Sequence, residues 1–268
     1  MPKYILIFLM LLIFNQASAD VNALKKEILP NNRIIKITGH PLYPPFVWKD
    51  NQTNKLTGIA IELLQKAFSE INVTVEVVAV DTWGRAQEEV KLGHVDILTP
   101  PYKTEERKKF YKFSTQPIFM DETVLFVKKG KEFVFKNFSD LKAHKGVAII
   151  NDSFGTEFDN YDQKELKILR LKTTEQCFNF LEAGRADYLV AGIYAGMDIV
   201  DRNNLQDKIV ILPKRVITTG MYAPISLKSK WNRPDIEKYL DQKFVEYTKN
   251  GFLKELQNKY HQKLKSNR

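Results

Sequence analysis

"GIAIELLQKAFSEINVTVEVVAVDTWGRAQEEVKLGHVDIL", Gly58 to Leu98, is the stretch on which the fold turns. Ile59, Leu63, Ala67 and Phe68 recur on one helical stripe, which predicts an amphipathic helix through Ile71. The period then changes to two: in Val73–Val80 the residues Val73, Val75 and Val77 share one face of a strand. A second helix through "WGRAQEEVKLG" ends at Gly93, and "VDILT" is the next strand. With "RIIKIT" ahead of them, the segments alternate strand and helix. Strands joined through helices run parallel, so a largely parallel sheet with helices on both faces follows.

A second series begins after "KGKEFVFKN". There "GVAII" and "DYLVAG" are strands around the helix "TTEQCFNFLEAG", followed by a short helix "AGMDIVDRNN" and a strand "DKIVIL". The tail from Trp231 carries Ile236, Leu240, Phe244 and Tyr247 at helical spacing, then "GFLKELQNKY". That apolar face needs a core to cover. If the tail returns to the first unit, the extended stretches Met120–Lys129 and Arg215–Lys228 must both cross between the units. Two α/β lobes, a two-strand hinge and a cleft between them are expected, and such a cleft suits a small ligand.

The ends and the composition bound the function. "MPKYILIFLMLLIFNQASAD" has one basic residue, an apolar run from Tyr4 to Phe14 and the small-residue end Ala17-Ser18-Ala19. This reads as a secretory signal cleaved after Ala19. The run is well short of the roughly 20 residues of a spanning helix, and Asp20 rather than Cys follows the cut, so no lipid attachment there is expected. A soluble, exported, periplasmic protein follows. The formal charge is +9, but the lysines alternate with acids along the chain, which describes a solvated surface rather than a nucleic-acid footprint. The single cysteine, Cys177, cannot form an internal disulfide and falls at an apolar helical position. His40, His94, His144 and His261 stand at no metal-ligand spacing, and no nucleophile-elbow, zincin or phosphate-loop motif occurs. No catalytic residue, metal or cofactor is expected.

In order and spacing, "YPPF" (Tyr43–Phe46), "LTGIAIELL", "DTWGRAQEEVKLGHVDIL", "KTEERKKFYKFSTQPI" (Lys103–Ile118), "FSDLKAHKGVAI", "LEAGRADYLV" and "NGFLKELQNKY" resemble the bacterial extracellular solute-binding proteins of family 3, the polar-amino-acid type. The resemblance runs from about Arg33 to Tyr260. It implies the type II periplasmic-binding-protein fold, with residues 31–122 plus 222–262 as lobe one and 123–221 as lobe two. It also implies a monomeric receptor that captures a small carboxylate-bearing solute, an amino acid or related organic acid, and hands it to the permease of a membrane importer.

Arg107 is the central site residue. Thr104 suits a helix N-cap, Glu105 and Glu106 favour the first turn, and a guanidinium there can grip a carboxylate with two parallel hydrogen bonds. It matches the family's "T-x-E-R" arginine, which holds the ligand's α-carboxylate; otherwise it is a surface arginine pairing with Glu105 or Asp96. Tyr43 and Trp83 match the family's sandwiching aromatics. Thr99, Pro101 and Tyr102 occupy its usual Ser/Gly turn, where two prolines remove two N–H donors and Tyr102 is expected to fill the space. Ser153, in "NDSF", stands where the family contacts the carboxylate. Gly192 is a departure, because amino-acid binders carry an Asp there for the ligand's ammonium. Either the ligand lacks that group, or Asp152 or Asp121 replaces the missing acid. An exported cyclohexadienyl-dehydratase-like enzyme and a ligand sensor are the alternatives on the same scaffold.

Overall fold

The computed structural model describes residues 33–50 and 52–266. The expected leader and its cut after Ala19 lie outside the described residues. The first unit opens with β1 (Ile34–Gly39), a meander of β2 (Leu42–Tyr43), β3 (Val47–Lys49) and β4 (Leu56–Thr57), then α1 (Ile59–Ser69) and β5 (Thr74–Val77). It continues through α2 (Trp83–Leu92), β6 (Ile97–Thr99), the single turn α3 (Glu105–Lys108) and β7 (Tyr111–Lys112). Local signals account for these bounds. Thr82 Oγ1 accepts from the Arg85 N–H at 3.1 Å at the start of α2, and Gly93 closes that helix at φ 84°.

The second unit comprises β8 (Phe119–Lys128), a 3₁₀ turn Phe138–Ala143, β9 (Gly146–Ile149), α4 (Thr156–Tyr161) running into a π turn, β10 (Leu169–Leu171), α5 (Thr174–Glu182), β11 (Tyr188–Gly192), α6 (Ile193–Arg202), β12 (Ile209–Ile211) and β13 (Ile217–Met221). The chain then returns through β14 (Ile225–Ser226), α7 (Pro234–Lys249) and α8 (Phe252–Ser266). One sheet has the order β5-β1-β6-β14-β7 and the other β10-β9-β11-β8-β12, with β13 pairing β8. β1 runs parallel to β5 and β6, and β9 parallel to β10 and β11. Cys177 is buried under the second sheet.

The two crossings are neighbours. The first half of β8 pairs antiparallel with β13, ending at Phe119 opposite Met221, and the Ile118 N–H donates to Met221 O at 2.8 Å. Beyond that ribbon the tail covers α1 of the first unit. Ile236, Leu240, Phe244 and Tyr247 are all buried, the Tyr239 hydroxyl donates to Ala67 O at 2.5 Å, and the Tyr247 hydroxyl donates to Glu70 at 3.0 Å. Burying each such side chain contributes roughly 1.5–3 kcal/mol, which makes the returning tail part of this core. The expected strand through Val80 is shorter than its apolar pattern. β5 stops at Val77, Val78 donates once more to Ile37 O, and the chain then leaves the sheet toward the cleft.

Candidate ligand-binding site

In parallel sheets the carboxyl ends of the strands open onto a crevice. Here four such ends meet. His40 follows β1, Pro100 and Pro101 follow β6, Asp152 to Phe154 follow β9, and Gly192 closes β11. Tyr43, Trp83, Tyr102 and Arg107 complete the lining of a cavity of about 30 Å³ between the units. A single water needs about 10–15 Å³ on this measure, so the space left between the closed walls is that of about two waters. Two bonds cross between the units beside it: Gln87 Nε2 donates to Asn151 O at 3.2 Å, and the Glu105 N–H donates to Thr156 Oγ1 at 3.4 Å.

Arg107 is 7% exposed. Thr104 Oγ1 accepts from its N–H at 3.2 Å, which sets the start of α3. The guanidinium lies against the Trp83 ring, 5.6 Å from its centroid. Nε and Nη2 donate to Gln87 Oε1 at 3.3 and 3.2 Å, and Nη1 donates to Tyr102 O at 3.1 Å. A guanidinium has five N–H groups, so one on each terminal nitrogen remains for another acceptor. Neither Glu105 nor Asp96 pairs with it: Glu105 pairs with Lys108, and Asp96 accepts from the Lys36 N–H and Ser229. Among the described residues no carboxylate lies within ion-pair distance of Arg107. Burial holds its pKa below the ordinary arginine value, against the pull of Asp152 and Asp159. Gln87 therefore positions Arg107 and touches the other lobe at once.

His40 is a cleft residue that the sequence reading passed over, because a lone histidine after a strand carries no signal of its own. It is 5% exposed and stacks on Trp83 at 5.0 Å. The Leu42 N–H donates to Nδ1 at 3.0 Å, which puts the ring proton on Nε2. Nε2 has no hydrogen-bond partner among the described residues. Burial and the Arg107 charge lower His40 to about 3, so the ring stays neutral. It offers the cavity one N–H donor.

Gly192 is where steric facts and the missing acid come together. Its backbone is ordinary (φ −61°), but a Cβ there would stand 1.7 Å from the Tyr43 hydroxyl and 2.9 Å from Asp121 Oδ2. That hydroxyl donates to Asp121 Oδ2, and the Tyr102 hydroxyl donates to the same oxygen at 2.6 Å. Asp121 Oδ1 accepts from the Glu122 N–H at 2.9 Å. Burial raises Asp121 above the usual carboxylate range while the two phenols oppose the shift. Asp121 is thus enclosed by two tyrosines of the first unit, one from the β2–β4 meander and one from the loop after β6.

Of the remaining expected residues, Pro101 lines the cavity and Thr99 does not. Thr99 is fully buried at the end of β6, and its hydroxyl is unpaired among the described residues. Ser153 lines the cavity, but its hydroxyl donates to Asp159. Asp152 faces the cavity with 16% of its side chain exposed, and its Oδ1 is 4.0 Å from His40 Nε2. Burial raises it to about 7, opposed by Arg107 and Arg170. Among the described residues no cluster of three or more metal-ligating side chains occurs.

The sequence profile of the bacterial extracellular solute-binding proteins, family 3, matches residues 35–263. No curated protein matches the chain. Among solved structures, a mutant of the arginine-binding protein ArgBP from T. maritima is 20% identical, with 91% of this chain and 99% of that chain covered and a TM-score of 0.70. A histidine kinase sensor domain with similarity to periplasmic binding proteins is 21% identical over 85% and 96% of the two chains, with a TM-score of 0.72. The amino acid ABC transporter substrate-binding protein AbpA from Streptococcus pneumoniae, bound to L-arginine, is 16% identical over 87% and 97%, with a TM-score of 0.71. At these identities the likeness is one of fold, and the fold is the two-lobed type II periplasmic-binding-protein architecture.

Proposed function

The chain belongs to the bacterial extracellular solute-binding proteins of family 3, and from that premise we propose that it is a periplasmic receptor for a small carboxylate-bearing solute, which it delivers to an ABC-type importer. The observation that carries this reading is Arg107, a buried cation facing an interlobe cavity with two unspent N–H groups and no carboxylate in ion-pair reach among the described residues. Burying a charge is costly unless a counter-charge meets it. A ligand carboxylate supplies that charge and accepts both N–H bonds in the bidentate geometry. His40 Nε2–H stands ready for a further ligand oxygen, while Trp83, Tyr43 and Tyr102 give the cavity its apolar walls.

The receptor binds and releases without turnover, so prephenate incubated with it is expected back unchanged. Its working cycle is closure. A solute that bridges the two walls favours the closed form by its differential affinity for it. The test is a thermal-shift screen of amino acids, dicarboxylates and aromatic acids, followed by solution scattering with the best binder. A carboxylate that binds the folded state raises the melting temperature by mass action, and the radius of gyration falls on saturation. A screen without a carboxylate hit, or product from prephenate, would overturn the reading.

A further inference from the structure

We propose that Gln87 is a positioning residue that couples the grip of Arg107 to closure of the lobes, with Gly84 leaving the room this coupling needs. The inference rests on the receptor reading above only for what Arg107 holds. The link between the lobes stands on the contacts themselves.

One amide serves two partners, and its orientation follows from their chemistry. A guanidinium only donates and a backbone carbonyl only accepts. Gln87 Oε1 must therefore face Arg107, where it accepts from Nε at 3.3 Å and from Nη2 at 3.2 Å. Nε2 then points the other way and donates to Asn151 O of the second unit at 3.2 Å. Turned over, the amide would set N–H against N–H and oxygen against oxygen, and all three bonds would be lost. The backbone is held at the same point, since the Tyr111 hydroxyl donates to Gln87 O at 2.7 Å. With the Nε–Nη2 edge of the fork taken, the other edge shared by two nitrogens is Nη1–Nη2. Gln87 thus decides the side from which Arg107 receives an anion.

The room for this contact lies one helical turn earlier. Gly84 and Gln87 are three residues apart on α2 and share one face. A Cβ at Gly84 would stand 2.5 Å from Asn151 Nδ2, so an added side chain must displace Asn151. Asn151 itself stands at φ 65° in the turn after β9, a left-handed conformation that Asn tolerates. Both contacts of α2 with Asn151 exist only while the lobes are closed. On opening, Nε2 loses Asn151 O, the amide is free to turn, and the guanidinium loses its fixed acceptor. An anion that needs the fork held is thereby tied to closure, and a coupling of this kind acts equally in both directions.

The test reads both ends of the link. Solution scattering gives the separation of the lobes, and the arginine side-chain nitrogen spectrum gives the water exchange of the Arg107 Nε–H. Each is measured without ligand and with sodium formate, against formamide as a neutral control of the same shape. Gly84→Val adds its bulk toward the second lobe, and its β-branch turns aside poorly. It is expected to enlarge the radius of gyration and to speed Nε–H exchange about tenfold, the factor that a hydrogen bond near the top of its usual range carries. Gln87→Leu, which removes all three bonds, should move both readings the same way. Gln87→Glu keeps an acceptor for Arg107 and loses the donor to Asn151 O, so exchange should stay slow while the radius rises. A residue with a merely structural role would not separate the two readings. Should Gly84→Val fail to fold, the contrast between Glu and Leu at position 87 decides. Wild-type exchange in Gly84→Val, or a Gln87→Leu chain as closed and as protected as wild type, overturns the coupling and leaves the carboxylate receptor standing. A wild-type chain that answers formate no more than formamide overturns the receptor reading, while the variants without ligand still decide the link between the lobes.

Discussion

The two walls of the cleft are built on different terms. The first-lobe wall is a set of donors and rings fixed by their own neighbourhoods: Thr104 starts the turn that carries Arg107, Gln87 and Tyr102 O hold the guanidinium, and Trp83 and His40 stack. The second-lobe wall presents Asp152 with little to hold its carboxylate, and Gly192, which is there to leave room. One wall is preorganised, and the other stores an unpaired charge. Where a protein keeps a buried group unsatisfied it gives up stability, and such sites are where function is expected.

The largest expected effect falls on the preorganised wall. Arg107→Ala should weaken binding of the best carboxylate found in the screen by about 5 kcal/mol, the scale of truncating one partner of a buried charge pair. Arg107→Lys should lose nearly as much, since an ammonium cannot reproduce the fork. Calorimetry decides it, and unaltered affinity would dissolve the contrast between the walls.

Asp152→Asn probes the other wall in the protein without ligand. The folded carboxyl titrates near 7 against 3.8 in the unfolded chain. The native state therefore holds a proton that the unfolded state has lost, and stability falls as pH rises between those values. Above pH 7 the full penalty is present, and at about 1.4 kcal/mol per unit its upper bound is about 4 kcal/mol. The Asn variant should be more stable than wild type at pH 8 and indistinguishable near pH 3.5, as read from urea midpoints. Equal pH profiles would mean that the second wall stores no charge strain.

Smaller effects sharpen the view of the enclosed acid. Gly192→Ala must push the Tyr43 hydroxyl off Asp121, and overpacking of this kind costs about 3 kcal/mol; a neutral denaturation midpoint would show that Tyr43 moves freely. Tyr102→Phe removes one of two phenol donors and should cost about 1.5 kcal/mol, the value of a hydrogen bond to a charged group. An unchanged denaturation midpoint in that variant would show that the Tyr43 hydroxyl alone is enough to hold Asp121.

Much of the architecture was legible in the sequence. The stripe through Ile59, Leu63, Ala67 and Phe68, the alternation at Val73, Val75 and Val77, and the stop at Gly93 are local signals, and the helices and strands stand where those signals end, apart from the early exit at Val77. Thr104 and Arg107 were legible for the same reason, since a cap and its turn span four residues. The short β2–β4 meander and the two-residue β7 were not, because two or three residues are too few to display a period.

What the sequence by itself determined is the order of elements, the return of an apolar tail that needed a core, and the presence of an arginine at a helix start beside aromatic residues. The tertiary structure alone decided which acid is free. Asp121 is closed off by Tyr43, 78 positions away in the chain, and by Tyr102 across the hinge. His40 acquires an unpaired Nε2 proton only because Leu42 takes the other nitrogen and burial denies it water. Gly192 looked like a missing carboxylate and is filled by a phenol from the other lobe. Periodicity and capping are written within a few residues, whereas desolvation and the choice of partner are set by whatever the closed fold brings to the same few ångströms.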